Sequence, residues 1–71
     1  MKKIKYVLSG SAIRINDEVS VGYEQKIMAI NIQDAIRRAK RFISEVCNFF
    51  KMNKPDFNLN RHGKSVWENK T

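Results

Sequence analysis

Seventy-one residues leave room for one hydrophobic core, so the chain reads as a single domain, 1–71. A composition that is 42% hydrophobic and 30% charged is globular and excludes a disordered chain. Fourteen Lys and Arg against seven Asp and Glu give a formal net charge of +7, which favours polyanions or acidic protein surfaces as partners and argues against an acidic metal-binding cage.

The opening is basic and then apolar, but its apolar run is only Tyr6 to Leu8 before Ser9, Gly10 and Ser11. That is too short for a signal peptide or a membrane span, so a cytoplasmic chain is expected. Residues 4–15 and 19–30 alternate as strands, with Asn16-Asp17-Glu18 as the hairpin loop between them. The alternation changes phase in both arms, from Ile4, Tyr6 and Leu8 to Ile13 and Ile15, and from Val19, Val21 and Tyr23 to Met28 and Ile30. Pairing about Asp17 would set Ile15 opposite Val19, Ile13 opposite Val21, Tyr6 opposite Met28 and Ile4 opposite Ile30. Both arms then flip together near Gly10 and 22–25, which predicts one long bent hairpin. Its distal half would turn its other face to a second copy, as a homodimer, or to a partner. Three short strands turning at Ser9-Gly10-Ser11 are the alternative.

Residues 31–51 carry the strongest pattern in the chain. Ile32, Ala35, Ile36, Ala39, Phe42, Ile43, Val46, Cys47 and Phe50 follow the spacing of one helix face. Asn31 suits the N-cap, with Asp34 three residues on in a variant capping box and Ile30 and Ala35 at the hydrophobic-staple positions. Lys51 and Lys54 suit the negative end of the helix dipole, and Pro55 prevents continuation. Cys47, the lone cysteine, falls on the apolar face and reads as a small buried hydrophobe. Beyond Pro55, Phe57 and Leu59 alternate with Asp56, Asn58 and Asn60, and a tight turn at His62-Gly63 would place Leu59 opposite Val66. The expected fold is therefore α+β, a small antiparallel sheet in the order β-β-α-β-β. A long bent N-terminal hairpin and a short C-terminal one pack on one amphipathic helix.

The chemistry-bearing residues do not assemble a catalyst. One histidine, one cysteine and three isolated glycines provide neither metal-ligand spacing nor a phosphate-cradling loop, so no enzyme, metal or cofactor is expected. The cations are better placed. Arg37, Lys40, Arg41, Ser44, Asn48 and Lys51 share the helix face opposite the core, with Glu45 interrupting it. Residues 37–64 hold eight Lys and Arg against two acids, a net +6, while Asp17, Glu18 and Glu24 gather towards the hairpin tip. The candidate binding residues are Arg37, Lys40, Arg41, Lys51, Lys54, Arg61, His62, Lys64 and Trp67, the last as a stacking or hot-spot anchor.

The run IMAINIQDAIRRAKRFI, with Phe57-Asn58-Leu59, His62-Gly63-Lys64 and Val66-Trp67-Glu68 after it, resembles small phage-encoded β-β-α-β-β proteins. These include some anti-CRISPR inhibitors of type I effector complexes. The shared positions are Ala29 closing the second strand, Ala35 and Ala39-Lys40 on the helix, Gly63-Lys64 and Trp67. The resemblance implies a non-enzymatic binder that occupies a nucleic-acid groove or a subunit surface of a larger complex. Most such inhibitors are acidic, and the +7 balance departs from them towards direct contact with nucleic acid or with an acidic patch.

Two functions are therefore expected. The first is a nucleic-acid-binding protein using the helix basic face and the turn 61–64 on phosphates, largely without sequence preference. The alternative is a phage or mobile-element inhibitor that binds a host protein or nucleoprotein complex.

Overall fold

The computed structural model describes residues 2–69. Strands β1 (Ile4–Arg14) and β2 (Ser20–Ala29) precede the helix α1 (Ile32–Phe49), and β3 (Met52–Arg61) and β4 (Lys64–Asn69) follow it. All four strands pair antiparallel in one sheet, in the spatial order β2-β1-β3-β4. The helix packs on one face of β1, β2 and β3 and leaves the other face open. This is the α+β architecture read from the sequence.

The hairpin differs from expectation by one residue, and that residue changes its meaning. Ile4 pairs with Ala29, Tyr6 with Ile27 and Ala12 with Val21, in an unbroken register over the whole length of β2. Tyr6, Leu8 and Ala12 therefore share the helix side with Ile27 and Ala29, all buried, while Ile13 and Met28 stand on the open side. A shift of one position exchanges the two faces of a strand. The apparent change of phase is thus apolar residues on both faces of one regular ribbon, and neither arm flips. At the tip, the left-handed Glu18 donates its N–H to the Arg14 carbonyl at 2.8 Å, and the Arg14 N–H reaches the Val19 carbonyl at 2.9 Å.

Gly10 acts through closeness to its neighbours. It lies between Tyr23 on β2 and Phe57 on β3, and without a side chain there the two rings meet over it with centroids 6.3 Å apart. The irregularity expected at Gly10 falls instead between Ser11 and Ile13 in the β1–β3 pairing. There β3 sets two residues, the left-handed Lys54 and Pro55, against the single Ala12 of β1, and the bulge tolerates the missing N–H of Pro55.

The helix begins as read. Asn31 accepts the Asp34 N–H at 2.8 Å, but the Asp34 carboxylate returns its bond to the N–H of Ile30, at 3.2 Å, and not to that of the capping residue. The stop is earlier than expected. Phe50 caps the helix with its N–H on the Val46 carbonyl at 3.0 Å, and the left-handed Lys51 turns the chain directly into β3. Pro55 thus lies inside a strand and does not end the helix. Ala35 and Ala39, one turn apart and fully buried, bring the helix close to the sheet, where Tyr6, Leu8, Phe57 and Leu59 fill the centre of the core. His62 and Gly63 both have positive φ, as a two-residue type I′ hairpin turn requires. A further bulge beyond Asn60 then sets Leu59 opposite Trp67, where Val66 was expected.

Candidate nucleic-acid interface

The cations separate into two groups by what holds them. Arg37 and Arg38 both reach back one turn to Asp34, Arg37 through Nη2 to Oδ1 and Arg38 through Nε to Oδ2 at 3.1 Å. Asp34 also carries the Ile30 N–H, so one buried carboxylate ties the helix start, the end of β2 and two arginines together. The Arg37 hydrogen bond, helped by the Ile30 N–H and Arg38 against the opposing effect of burial, holds the Asp34 carboxyl below its ordinary value. Arg41 bonds Glu45 at 3.2 Å, and Arg14 grips Asp17 through two bonds of 2.9 and 2.7 Å. Hydrogen bonding to Arg14 lowers the Asp17 carboxyl in the same way. Among the described residues, Arg61 and every lysine lack an ion pair.

The sheet register gathers most of these unpaired cations at one end. Lys2 and Lys3 lead into β1, Lys5 lies opposite Met28, Lys26 lies opposite Val7, and Arg61 pairs with Lys64 across the turn. Because Val7 also pairs with Asn60, the start of β1, the end of β2 and the β3–β4 turn are adjacent. Lys5 and Lys26 alternate with buried Tyr6 and Ile27, which places both on the open face. A recess of about 620 Å³ opens there, lined by Lys5, Val7, Ser9, Glu24, Asn60 and His62.

The candidate residues named from the sequence do not form one surface. Arg61, His62 and Lys64 are exposed in this end cluster, while Arg37, Lys40 and Arg41 are exposed on the helix layer across the sheet. Lys51 and Lys54 are exposed towards the opposite end of β3, about 20–30 Å away at the rise of an extended strand. Trp67 sits half-buried against the core beside Leu59. Lys2, Lys3, Lys5 and Lys26 were not singled out by the sequence pattern. For Lys5 and Lys26 the signal is alternation with Tyr6 and Ile27, which the shifted register concealed.

Phe49 is the other residue missed, because it lies off the apolar arc of the helix. It is 80% exposed and stacks edge-on against the half-exposed Phe50, with centroids 4.8 Å apart. With Phe42 the pair lines an open apolar recess on the outside of the helix end. The four strand aromatics, Tyr6, Tyr23, Phe57 and Trp67, all lie on the helix side, so the open face offers Lys5, Lys26, Ser9, Asn60 and the acidic Glu24, with the His62 imidazole as the ring at its recess.

Among the described residues, no three His, Cys, Asp or Glu side chains gather as a metal site, and no helix is long and apolar enough to cross a membrane. No family model, curated protein or solved structure matches the chain.

Proposed function

We propose that this is a small, basic, non-enzymatic binding protein of the cytoplasm that contacts nucleic acid through phosphates. The observation that carries this reading is the convergence of Lys2, Lys3, Lys5, Lys26, Arg61 and Lys64 at one end of the sheet, where no carboxylate among the described residues pairs with them. Unpaired cations give up only water and counterions when they meet phosphate, whereas Arg37 and Arg41 must also share or leave a carboxylate. The open face has hydrogen-bonding side chains but none of the strand Phe, Tyr or Trp rings, and only the His62 imidazole at its recess could stack a base, so binding follows mainly the backbone and tolerates unrelated sequences.

Fluorescence anisotropy with unrelated duplexes and single strands over a salt series tests this. The double variant Lys5→Ala with Lys26→Ala should lower the salt slope by about 0.7–0.9 for each phosphate that is no longer neutralised, equally for all sequences. Arg37→Ala with Arg41→Ala should lower it much less. Failure to bind any strand at low salt would refute the reading, because a chain of net charge +7 has every electrostatic advantage there.

The Phe42, Phe49 and Phe50 patch favours a second reading, an inhibitor of phage or mobile-element origin that docks on a host protein complex. Exposed aromatics beside a recess are typical anchors of protein interfaces. On this reading Phe49→Ser abolishes retention of the complex on immobilised protein and leaves nucleic-acid binding unchanged.

A further inference from the structure

We infer that β2 is the pairing edge of a symmetric dimer, in which two copies join their sheets antiparallel about Gln25. The two edges of the sheet differ. β4 is six residues long and bulged, whereas β2 runs ten residues with no break in register and no proline. Long, regular edges are those that pair with another strand. The bond from the Arg14 N–H to the Val19 carbonyl fixes which residues turn inward. Odd-numbered residues of β2 exchange bonds with β1, and the backbones of Ser20, Gly22, Glu24, Lys26 and Met28 point outward. The Lys26 carbonyl, one of these, is held only by its neighbour's side chain, Gln25 Nε2 at 3.1 Å.

The side chains select both the partner and the register. Both helices must lie on the same side of a joined sheet, which requires even residues to face even residues. A two-fold axis at Gln25 satisfies this and sets Glu24 opposite the partner's Lys26 and Lys26 opposite the partner's Glu24. Moving the axis by one residue in either direction sets Glu24 opposite the partner's Glu24 or Lys26 opposite the partner's Lys26, and like charges directly opposed are destabilising. The chosen register also lays Met28, which is 45% exposed, over the partner's Gly22, where a Cβ would find almost nothing nearby. Val19 and Ile30, exposed at the two ends of the strand, come under the partner's edge as well. Antiparallel pairing further brings the acidic tip at Asp17 and Glu18 beside the basic end of the other copy, which offsets the repulsion between two chains of +7.

Sedimentation at rising protein concentration near physiological salt tests the proposal. Wild type should approach twice 8.3 kDa, while Glu24→Lys and Lys26→Glu should each stay at 8.3 kDa. An equimolar mixture of the two variants should regain the doubled mass, because every opposed pair is again of unlike charge. Gln25→Cys in a Cys47→Ala background should cross-link to itself on oxidation, since residues on the axis face each other about 4.5 Å apart at Cα, within disulfide reach. Wild type that stays at 8.3 kDa at millimolar concentration would overturn the dimer. Doubled mass in both single variants, or no cross-link at Gln25→Cys, would overturn this edge and register.

Discussion

Gly10→Ala tests the packing of the sheet at its tightest point. A Cβ at this position would lie 2.1 Å from the Asp56 carbonyl oxygen and 2.6 Å from the Phe57 Cα, and both obstacles are backbone. No rotamer can relieve that clash, so β3 must move away from β1. The movement disturbs the neighbouring pairs Ser9↔Asn58 and Ser11↔Asp56 and draws the fully buried Phe57 off Tyr23. Overpacking of about 1–3 kcal/mol, together with about 1 kcal/mol for a weakened ladder bond, gives a loss of about 2–4 kcal/mol. At about 4–8 °C per kcal/mol for a domain of this size, Tm should fall by at least about 8 °C in a calorimetric scan. Gly22→Ala is the internal control. Its Cβ would meet only the Gly10 carbonyl oxygen at 3.9 Å, so in dilute protein it should be neutral or stabilise by up to about 1 kcal/mol. A fall of less than about 4 °C for Gly10→Ala, or equal falls for both glycines, would refute the close approach of β1 and β3.

Ile43→Ala should cost about 2–5 kcal/mol in chemical denaturation, because the side chain is buried in the core. Phe42→Ala should cost less than Ile43→Ala, since Phe42 is only partly buried and borders the open recess, and so should Arg37→Ala, because Arg37 is itself exposed and the Ile30 N–H and Arg38 still hold the buried Asp34 carboxylate. Equal losses for Ile43 and Arg37 would mean that the helix is rotated from the orientation described. Asp34 makes stability depend on pH with a definite sign. Its carboxyl is held below its ordinary value, so the stability it contributes is complete above about pH 5 and declines as pH falls through the ordinary value towards its lowered one. The Tm gap between wild type and Asp34→Asn should therefore narrow from about pH 5 to about pH 3, and a constant gap would refute the Asp34 hub.

Local chemistry was legible in the sequence, and register was not. Asn31, Asp34 and the apolar spacing after them placed the helix start to the residue, because a cap and a periodic face are written within a few neighbouring positions. His62-Gly63 likewise announced its turn. The pairing of β1 with β2 depends on how residues 15–18 turn, and there Glu18 adopts the left-handed conformation without being glycine. Placing the centre of the hairpin at Asp17, half a residue from its true position, moved Lys5 and Lys26 out of view as members of one face. The helix stop shows the same limit. Proline is the conspicuous breaker in a sequence, but the chain turns at Lys51, whose positive φ no sequence rule assigns to lysine. The candidate site was legible as composition and illegible as a surface. Net charge counts Arg37 and Lys26 alike, although one is tied to Asp34 and the other stands unpaired on the open sheet.

That difference bears on how a single polyanion could engage the molecule. The helix cations and the Lys5–Lys26 pair lie on opposite layers, with the core between them, so one straight duplex cannot lie along both. A single strand could pass round the end of the sheet through the turn 61–64, but Asp34 would still compete for Arg37 and Arg38. If the protein binds nucleic acid as proposed, the unpaired end cluster would supply the salt dependence, and the helix face would add mainly to the long-range field that draws a polyanion in. Pairing through β2 would set Lys26 opposite the partner's Glu24 and leave Lys2, Lys3, Lys5, Arg61 and Lys64 as the unpaired cations of each copy. An axis at Gln25 keeps the two Lys26 near the centre of the joined sheet and places Lys2, Lys3 and Lys5 of each copy towards opposite ends of the paired strands, with the open faces pointing the same way. A strand long enough to span both ends would then engage the second basic cluster at high effective concentration, whereas a short one would bind each end separately.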